Sequence, residues 1–163
     1  DIDTVYVPIG CGSGICAVIA ARDALGLSTE VVGVVSTEAN AAQLAFHSGQ
    51  VETTATARTF ADGVAVRVVV PAALAIYGSG ASRVVAVTAA EVAEAMRLYF
   101  RCTHNESEGA GAAPLAALIQ EQERQKEKRS AVILCGGNVD TTVFQQVLAG
   151  NTPVVADQTE AIG

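Results

Sequence analysis

The residues best suited to chemistry sit in a short glycine-rich segment, Pro8-Ile9-Gly10-Cys11-Gly12-Ser13-Gly14, placed between an apolar run and an Ala-rich run. Three glycines let the backbone turn tightly and come close to a ligand without Cβ clashes. Exposed N–H groups ahead of a helix then form a site for phosphate. Three further stretches carry polar or backbone-exposing groups: Thr59-Phe60-Ala61-Asp62-Gly63-Val64, Glu108-Gly109-Ala110-Gly111-Ala112-Ala113 and Leu134-Cys135-Gly136-Gly137-Asn138-Val139-Asp140. His47 and His104 stand alone, with no Cys, Asp or Glu at ligand spacing, and read as structural. The four cysteines, at 11, 16, 102 and 135, form no C-x-x-C pair, and no metal site is expected.

The glycine segment alone fits several ligand classes. A dinucleotide fold wants G-x-G-x-x-G and an acid some 20 residues on; here Ile15 stands where the third glycine belongs, and the next strand ends Val34-Val35-Ser36, with Glu38 beyond its tip. Gly10-Cys11-Gly12-Ser13-Gly14 also resembles the first motif of S-adenosylmethionine methyltransferases. That family's acid before the first glycine is replaced by Pro8, and its second acid falls near Val35. A methyltransferase-like protein therefore remains the alternative.

These segments need a scaffold. The chain has 163 residues, half of them apolar, 17% charged and 4% aromatic, which suits one domain with a core of Ala, Val, Ile and Leu. Val5–Ile9, Val31–Val35, Val84–Val87 and Ala131–Leu134 are continuous β-branched runs, as expected of strands buried on both faces of a parallel sheet. Helices are expected over Ile15–Leu25, Ala41–Ser48, Ala89–Phe100, Ala112–Lys128 and Thr141–Leu148, with Thr88 and Glu91 forming a capping box for the third. Alternation of this kind predicts an α/β fold: a three-layer parallel sheet with helices on both faces. Residues 1–150 form the domain in this reading and 151–163 a tail. The run Glu121–Arg129 reads as a solvated helix end whose basic residues complement the helix dipole.

The net charge of −7 argues against nucleic acid as a partner, because phosphate contacts need clustered Lys and Arg. Apolar runs such as Ile15–Ala21 fall far short of the ~20 residues of a membrane span. Scattered cysteines suit a reducing, cytoplasmic setting. Unpaired sheet edges predict a homo-oligomer.

In their order and spacing the four motifs resemble those of the fold-type II pyridoxal-phosphate enzymes, in the threonine/serine dehydratase family, over roughly residues 3–149. The resemblance implies a tryptophan-synthase-β-like domain and a lyase removing water and ammonia from a hydroxy amino acid. It implies that Gly10, Cys11, Gly12, Ser13 and Gly14 bind the cofactor phosphate through their amides. Cys135 stands where the family carries Ser or Thr facing the pyridine nitrogen, Gly136, Gly137 and Asn138 shape the cofactor edge, and Glu108 lies near ring or substrate. Asp62 holds a loop. The carboxylates with which some members bind a divalent cation correspond to Val35 and Ala41. The family's Schiff-base lysine lies in an S-x-K-x-R-G-like context upstream of these motifs, whereas the two lysines here, Lys126 and Lys128, lie in a charged run. The expectation is a portion of such an enzyme, carrying the phosphate loop and inactive alone, or a non-catalytic self-assembling remnant.

Overall fold

Four β-branched runs pair side by side because each offers apolar side chains to both faces. The computed structural model describes residues 2–155. Strands β1 (Thr4–Pro8), β2 (Glu30–Ser36), β3 (Arg83–Val87) and β4 (Ser130–Val132) form one sheet in the order β3-β2-β1-β4. Every pairing is parallel, with Val5 opposite Val31 and Ala131, and Gly33 opposite Val84. Between and after the strands run α1 (Ser13–Ala24), α2 (Ala41–Ser48), α3 (Pro71–Gly80), α4 (Ala89–Thr103), α5 (Gly109–Gln120) and α6 (Thr141–Leu148).

Alternate residues of each strand serve opposite cores. Val5, Val7, Val31 and Val35 pack with Ile15, Ile19, Ala41, Ala45 and Tyr77 of α1, α2 and α3. Tyr6, Val32, Val34 and Val87 pack on the other face with Met96, Ala113, Ala117 and Phe144 of α4, α5 and α6. The expected three-layer parallel α/β fold is the fold observed.

Local signals explain most boundaries. The Thr88 hydroxyl accepts from the Glu91 N–H at 3.2 Å, while the Glu91 carboxylate accepts from the Thr88 N–H at 2.7 Å, which completes the capping box of α4. α2 and α6 have the predicted bounds. Helix α3 carries no sequence expectation. It begins at Pro71, whose fixed φ suits a first turn, and contains Gly78 and Gly80, which weaken its helical signal. The helix expected over Ala112–Lys128 is shorter and starts earlier: α5 begins at Gly109 and ends at Gln120, and turns follow to Glu127. Glu127 adopts a left-handed φ of 65°, so the basic residues beyond Gln120 do not cap a helix. Strand β4 stops at Val132, though the Ile133 N–H still donates to Tyr6 O at 3.1 Å. Of the expected tail, Pro153 is buried, and 156–163 lie outside the described residues.

Glu121, in the first of those turns, is drawn inward instead of solvated. It accepts from Tyr6 Oη (2.7 Å) and from Arg83 Nη2 (2.6 Å) and Nε (2.9 Å), and Arg83 also reaches Glu30 at 3.1 Å. The network ties β1, β2 and β3 to the end of α5. Burial pushes the Glu121 carboxyl up, but the bonds from Arg83 and Tyr6 outweigh it and hold it below its usual range. Burial and the Glu121 carboxylate push Tyr6 up to about 12.

Replacing Glu121 by Gln keeps the shape and removes the charge, and the expected loss is about 2 kcal/mol in denaturant unfolding at neutral pH. The depressed Glu121 contributes stability that is present above the unfolded value of roughly 4.3 and is lost as pH falls through the lower folded value. The raised Tyr6 contributes stability that is present below roughly 10. That part is lost as pH rises through about 12. In Glu121→Gln the acid slope should flatten.

Candidate functional site

β1 ends at Pro8, and the Ile9 N–H makes one more bond, to Val34 O at 2.8 Å, before the chain turns away from the sheet. Gly12 is the N-cap of α1, in a left-handed conformation (φ 94°), and no side chain caps the helix. Ser13 and Gly14 already belong to the first turn of α1, and no acidic residue lies in that turn. The early N–H groups of α1 therefore have no intrahelical acceptor and face the space beyond the strand ends, with the positive end of the helix dipole behind them.

That space is a cleft of about 280 Å³. The segment Gly10–Gly14 forms one wall, and Gly63, Glu108, Ala110, Ile133 and Cys135 contribute to the others. It opens at the carboxyl ends of β1 and β4. Because β2 lies on one side of β1 and β4 on the other, this is the point where strand order reverses, the usual ligand crevice of an open parallel sheet. The volume lies just below the roughly 300–1,000 Å³ of ligand pockets.

All four sequence motifs converge here. The Thr59–Val64 segment bends through a short 3-10 turn, Asp62–Val64, in which Asp62 Oδ1 accepts from the Gly63 N–H at 2.8 Å and Thr59 Oγ1 from the Ala61 N–H at 3.2 Å. Asp62 thus holds a loop. Glu108 is the N-cap of α5 and lines the cleft. Cys135 faces the cleft after β4, while Gly136, Gly137 and Asn138 lie behind that wall and do not line it. Burial pushes the Cys135 thiol up, and the Glu108 carboxylate adds to the effect. Gly63, Ala110 and Ile133 line the cleft without having been singled out; the motif pattern contained the first two, but only the fold turns them inward.

Gly12 makes the tight turn expected of it, at a φ of 94°, and two of the glycines also face neighbouring protein. A Cβ on Gly10 would lie 2.3 Å from Gly63 O, and a Cβ on Gly12 2.6 Å from the Ala73 Cβ. Their missing side chains make room for neighbouring protein. His47 is exposed on α2 and His104 is the exposed C-cap of α4; neither reaches the cleft. Glu106 is exposed, so its charge carries no burial cost. Lys126, paired with Glu123, and Lys128 sit in the turns between α5 and β4, at the opposite end of the sheet from the cleft. Among the described residues no cluster of three or more His, Cys, Asp or Glu could hold a metal, and no helix is long and apolar enough to cross a membrane.

A parallel α/β sheet with a glycine-rich loop opening a helix at its switch point is an architecture that places ligands in that crevice, and the chain belongs to the pyridoxal-phosphate dependent enzyme family, whose model matches residues 1–136. Its relatives include the catabolic L-threonine dehydratase of Escherichia coli (strain K12), 30% identical over 149 residues that cover 90% of this chain and 45% of that protein. The L-threonine ammonia-lyase of Thermotoga maritima is 27% identical over 148 residues, 91% and 37% respectively. Among solved structures, the T.th. threonine deaminase matches with a TM-score of 0.80 at 30% identity, covering 86% of this chain and 51% of that one. Threonine deaminase isoform 2 of Solanum lycopersicum, in its processed form, gives 0.86 at 28%, with 92% and 45% covered. The chain spans less than half the length of these two curated relatives.

Gly10→Ala should therefore cost about 2–3 kcal/mol in unfolding free energy, because its Cβ meets a backbone carbonyl that cannot rotate away. Gly26→Ala, at a φ of 62° with open space around it, is the control. It should cost only about 1 kcal/mol of left-handed strain.

Proposed function

We propose that this chain is the phosphate-gripping portion of a threonine/serine dehydratase-like lyase and binds pyridoxal phosphate at the cleft between β1 and β4. The observation that carries the reading is the convergence of the glycine loop, the uncapped start of α1 and the Cys135 wall on one cleft. The backbone N–H groups of Gly10, Cys11, Gly12, Ser13 and Gly14 would hold the phosphate. Cys135 would stand opposite the ring nitrogen as a neutral, weak hydrogen-bond partner, which leaves that nitrogen largely unprotonated. Glu108 borders the ring, and Gly136, Gly137 and Asn138 support that edge. The cleft chemistry fits the group: peptide donors for a phosphate at one end and a mostly apolar wall of Val7, Ala110 and Ile133 beside it. When bound, the cofactor supplies the electron sink for loss of water and ammonia from a hydroxy amino acid.

Neither lysine reaches the cleft, so this chain holds the phosphate but has no amine there to move a substrate proton. Residues 1–150 act as the C-terminal part of the large domain, in a cytoplasmic enzyme of amino-acid metabolism. The two sheet edges, β3 and β4, favour self-association, read by sedimentation over a wide concentration range.

Titration with inorganic phosphate and with pyridoxal phosphate, followed by amide NMR, should move residues 10–14 with a dissociation constant near millimolar, about 4 kcal/mol. Gly12→Val should abolish the shifts but also strains the fold, because its Cβ meets Ala73 at a φ of 94°; Gly14→Val, whose Cβ meets only Val7 at 3.8 Å, should weaken them while the protein remains folded by circular dichroism, and unmoved amides at saturation overturn the cradle. Binding of S-adenosylmethionine in place of phosphate at the same amides favours the methyltransferase alternative.

The same preparation should yield no 2-oxobutanoate from threonine and no pyruvate from serine. Turnover lost in Lys126→Ala or Lys128→Ala would refute the assignment of inactivity.

A further inference from the structure

We infer that Glu108 is a positioning residue, whose carboxylate fastens the Cys135–Asn138 loop to the start of α5 and so sets the place of the Cys135 thiol on the cleft wall. The need for such a fastening comes from β4. After Ile133 the chain has left the sheet ladder, so the following peptides lack strand partners of their own. Glu108 meets that loop in three ways. Its N–H donates to Gly136 O at 3.1 Å, and its Oε2 accepts from the Asn138 N–H at 3.2 Å. Its carboxylate also lies flat against Gly136, where an added Cβ would come within 2.7 Å of both Cδ and Oε1. The carboxylate is thus engaged with loop backbone, and Cys135, the residue before Gly136, takes its direction from that contact.

The same placement sets the electrostatics of the sulfur. The titratable groups facing it are Glu108 from α5 and Tyr99 from α4, and Cys11 lies across the cleft. The Tyr99 hydroxyl is buried without a hydrogen-bond partner and offers no compensating cation. Among the described residues no Lys or Arg lines the cleft. A carboxylate beside the exposed thiol disfavours the thiolate, and the partial desolvation of the sulfur acts in the same direction. Cys135 therefore stays an S–H, a weak donor and a poor nucleophile. What this means for a bound pyridine ring rests on the cofactor reading above; the fastening does not.

The test uses the full chain without added cofactor. Iodoacetamide modification is followed peptide by peptide against pH, and hydrogen exchange is followed at the Asn138 amide, in the unaltered protein, Glu108→Gln and Glu108→Ala. Glu108→Gln keeps an acceptor for Asn138 and loses the charge, so exchange should stay near that of the unaltered protein. Removing a unit charge a few ångströms away should speed Cys135 modification at mildly alkaline pH roughly three- to tenfold. Glu108→Ala should accelerate both. Modification at exposed Cys102, on α4, should be unchanged and serves as the internal reference. A Cys135 profile in Glu108→Gln that superimposes on the unaltered protein overturns the inference, as does unchanged Asn138 exchange in Glu108→Ala. If the alanine variant does not fold, the glutamine variant decides alone. Neither readout involves phosphate or pyridoxal phosphate, so loss of the cofactor reading and loss of this one are separate results.

Discussion

Backbone must approach backbone, or a small side chain, at several points around the cleft, and glycine is what permits it. Gly10 meets Gly63 O, Gly63 meets Ala110, Gly111 meets Gly136 O, Gly137 meets Glu106 O and Gly109 meets Ala61, each at a distance no real Cβ could occupy. These contacts link the end of β1, the 62–64 turn, the start of α5 and the loop after β4 in one continuous series. Segments from four places in the sequence can share a cleft only because a glycine stands at each point of contact. The cost is conformational entropy in the unfolded chain, about 0.5–1 kcal/mol per glycine relative to alanine. The apolar cores on the two sheet faces offset it.

That series of contacts explains why the motifs are readable in the sequence while the neighbours their glycines face are not. Spacing and residue type placed the glycine loop after a strand and Asp62 in a loop, as found, whereas Cys135, expected at a strand end, lies three residues beyond Val132 in the loop after β4. Spacing could not reveal that the Gly10 and Gly12 positions face Gly63 and Ala73, because those neighbours come from elsewhere in the chain. Helix α3 is silent in the sequence for a local reason: Pro71-Ala72-Ala73-Leu74-Ala75-Ile76-Tyr77-Gly78-Ser79-Gly80 has no charged face to mark a helical period. The opposite holds at Glu121–Arg129. A dense charge run looks solvated in sequence, yet Glu121 finds Tyr6 and Arg83, more than 35 residues away in each case, and Gln125 is buried.

The two ends of the sheet are stabilised by different chemistry. At the amino ends of the strands, polar side chains interlock: ionised Arg83 with Glu121 and Glu30, and the neutral Tyr6 hydroxyl with Glu121. At the carboxyl ends, peptide groups and one carboxylate carry the organisation, with almost no long polar side chains. The ion network orients three strands and the end of α5, and α5 in turn carries Glu108 at its other end. A parallel sheet allows this division because all its strands run the same way, so one edge of the domain can be rigidly cross-linked while the other stays open.

An acidic molecule whose cleft contains no basic side chain among the described residues receives an anion in an unusual way. At long range the net charge of −7 repels a phosphate; the attraction from peptide dipoles acts only within the last few ångströms. Added salt screens the repulsion, with a Debye length of about 10 Å at 0.1 M, and leaves the short-range dipoles nearly untouched. Capture of a phosphate-bearing ligand by this cleft should therefore accelerate with ionic strength, the opposite of the behaviour of sites that draw anions in with arginine and lysine.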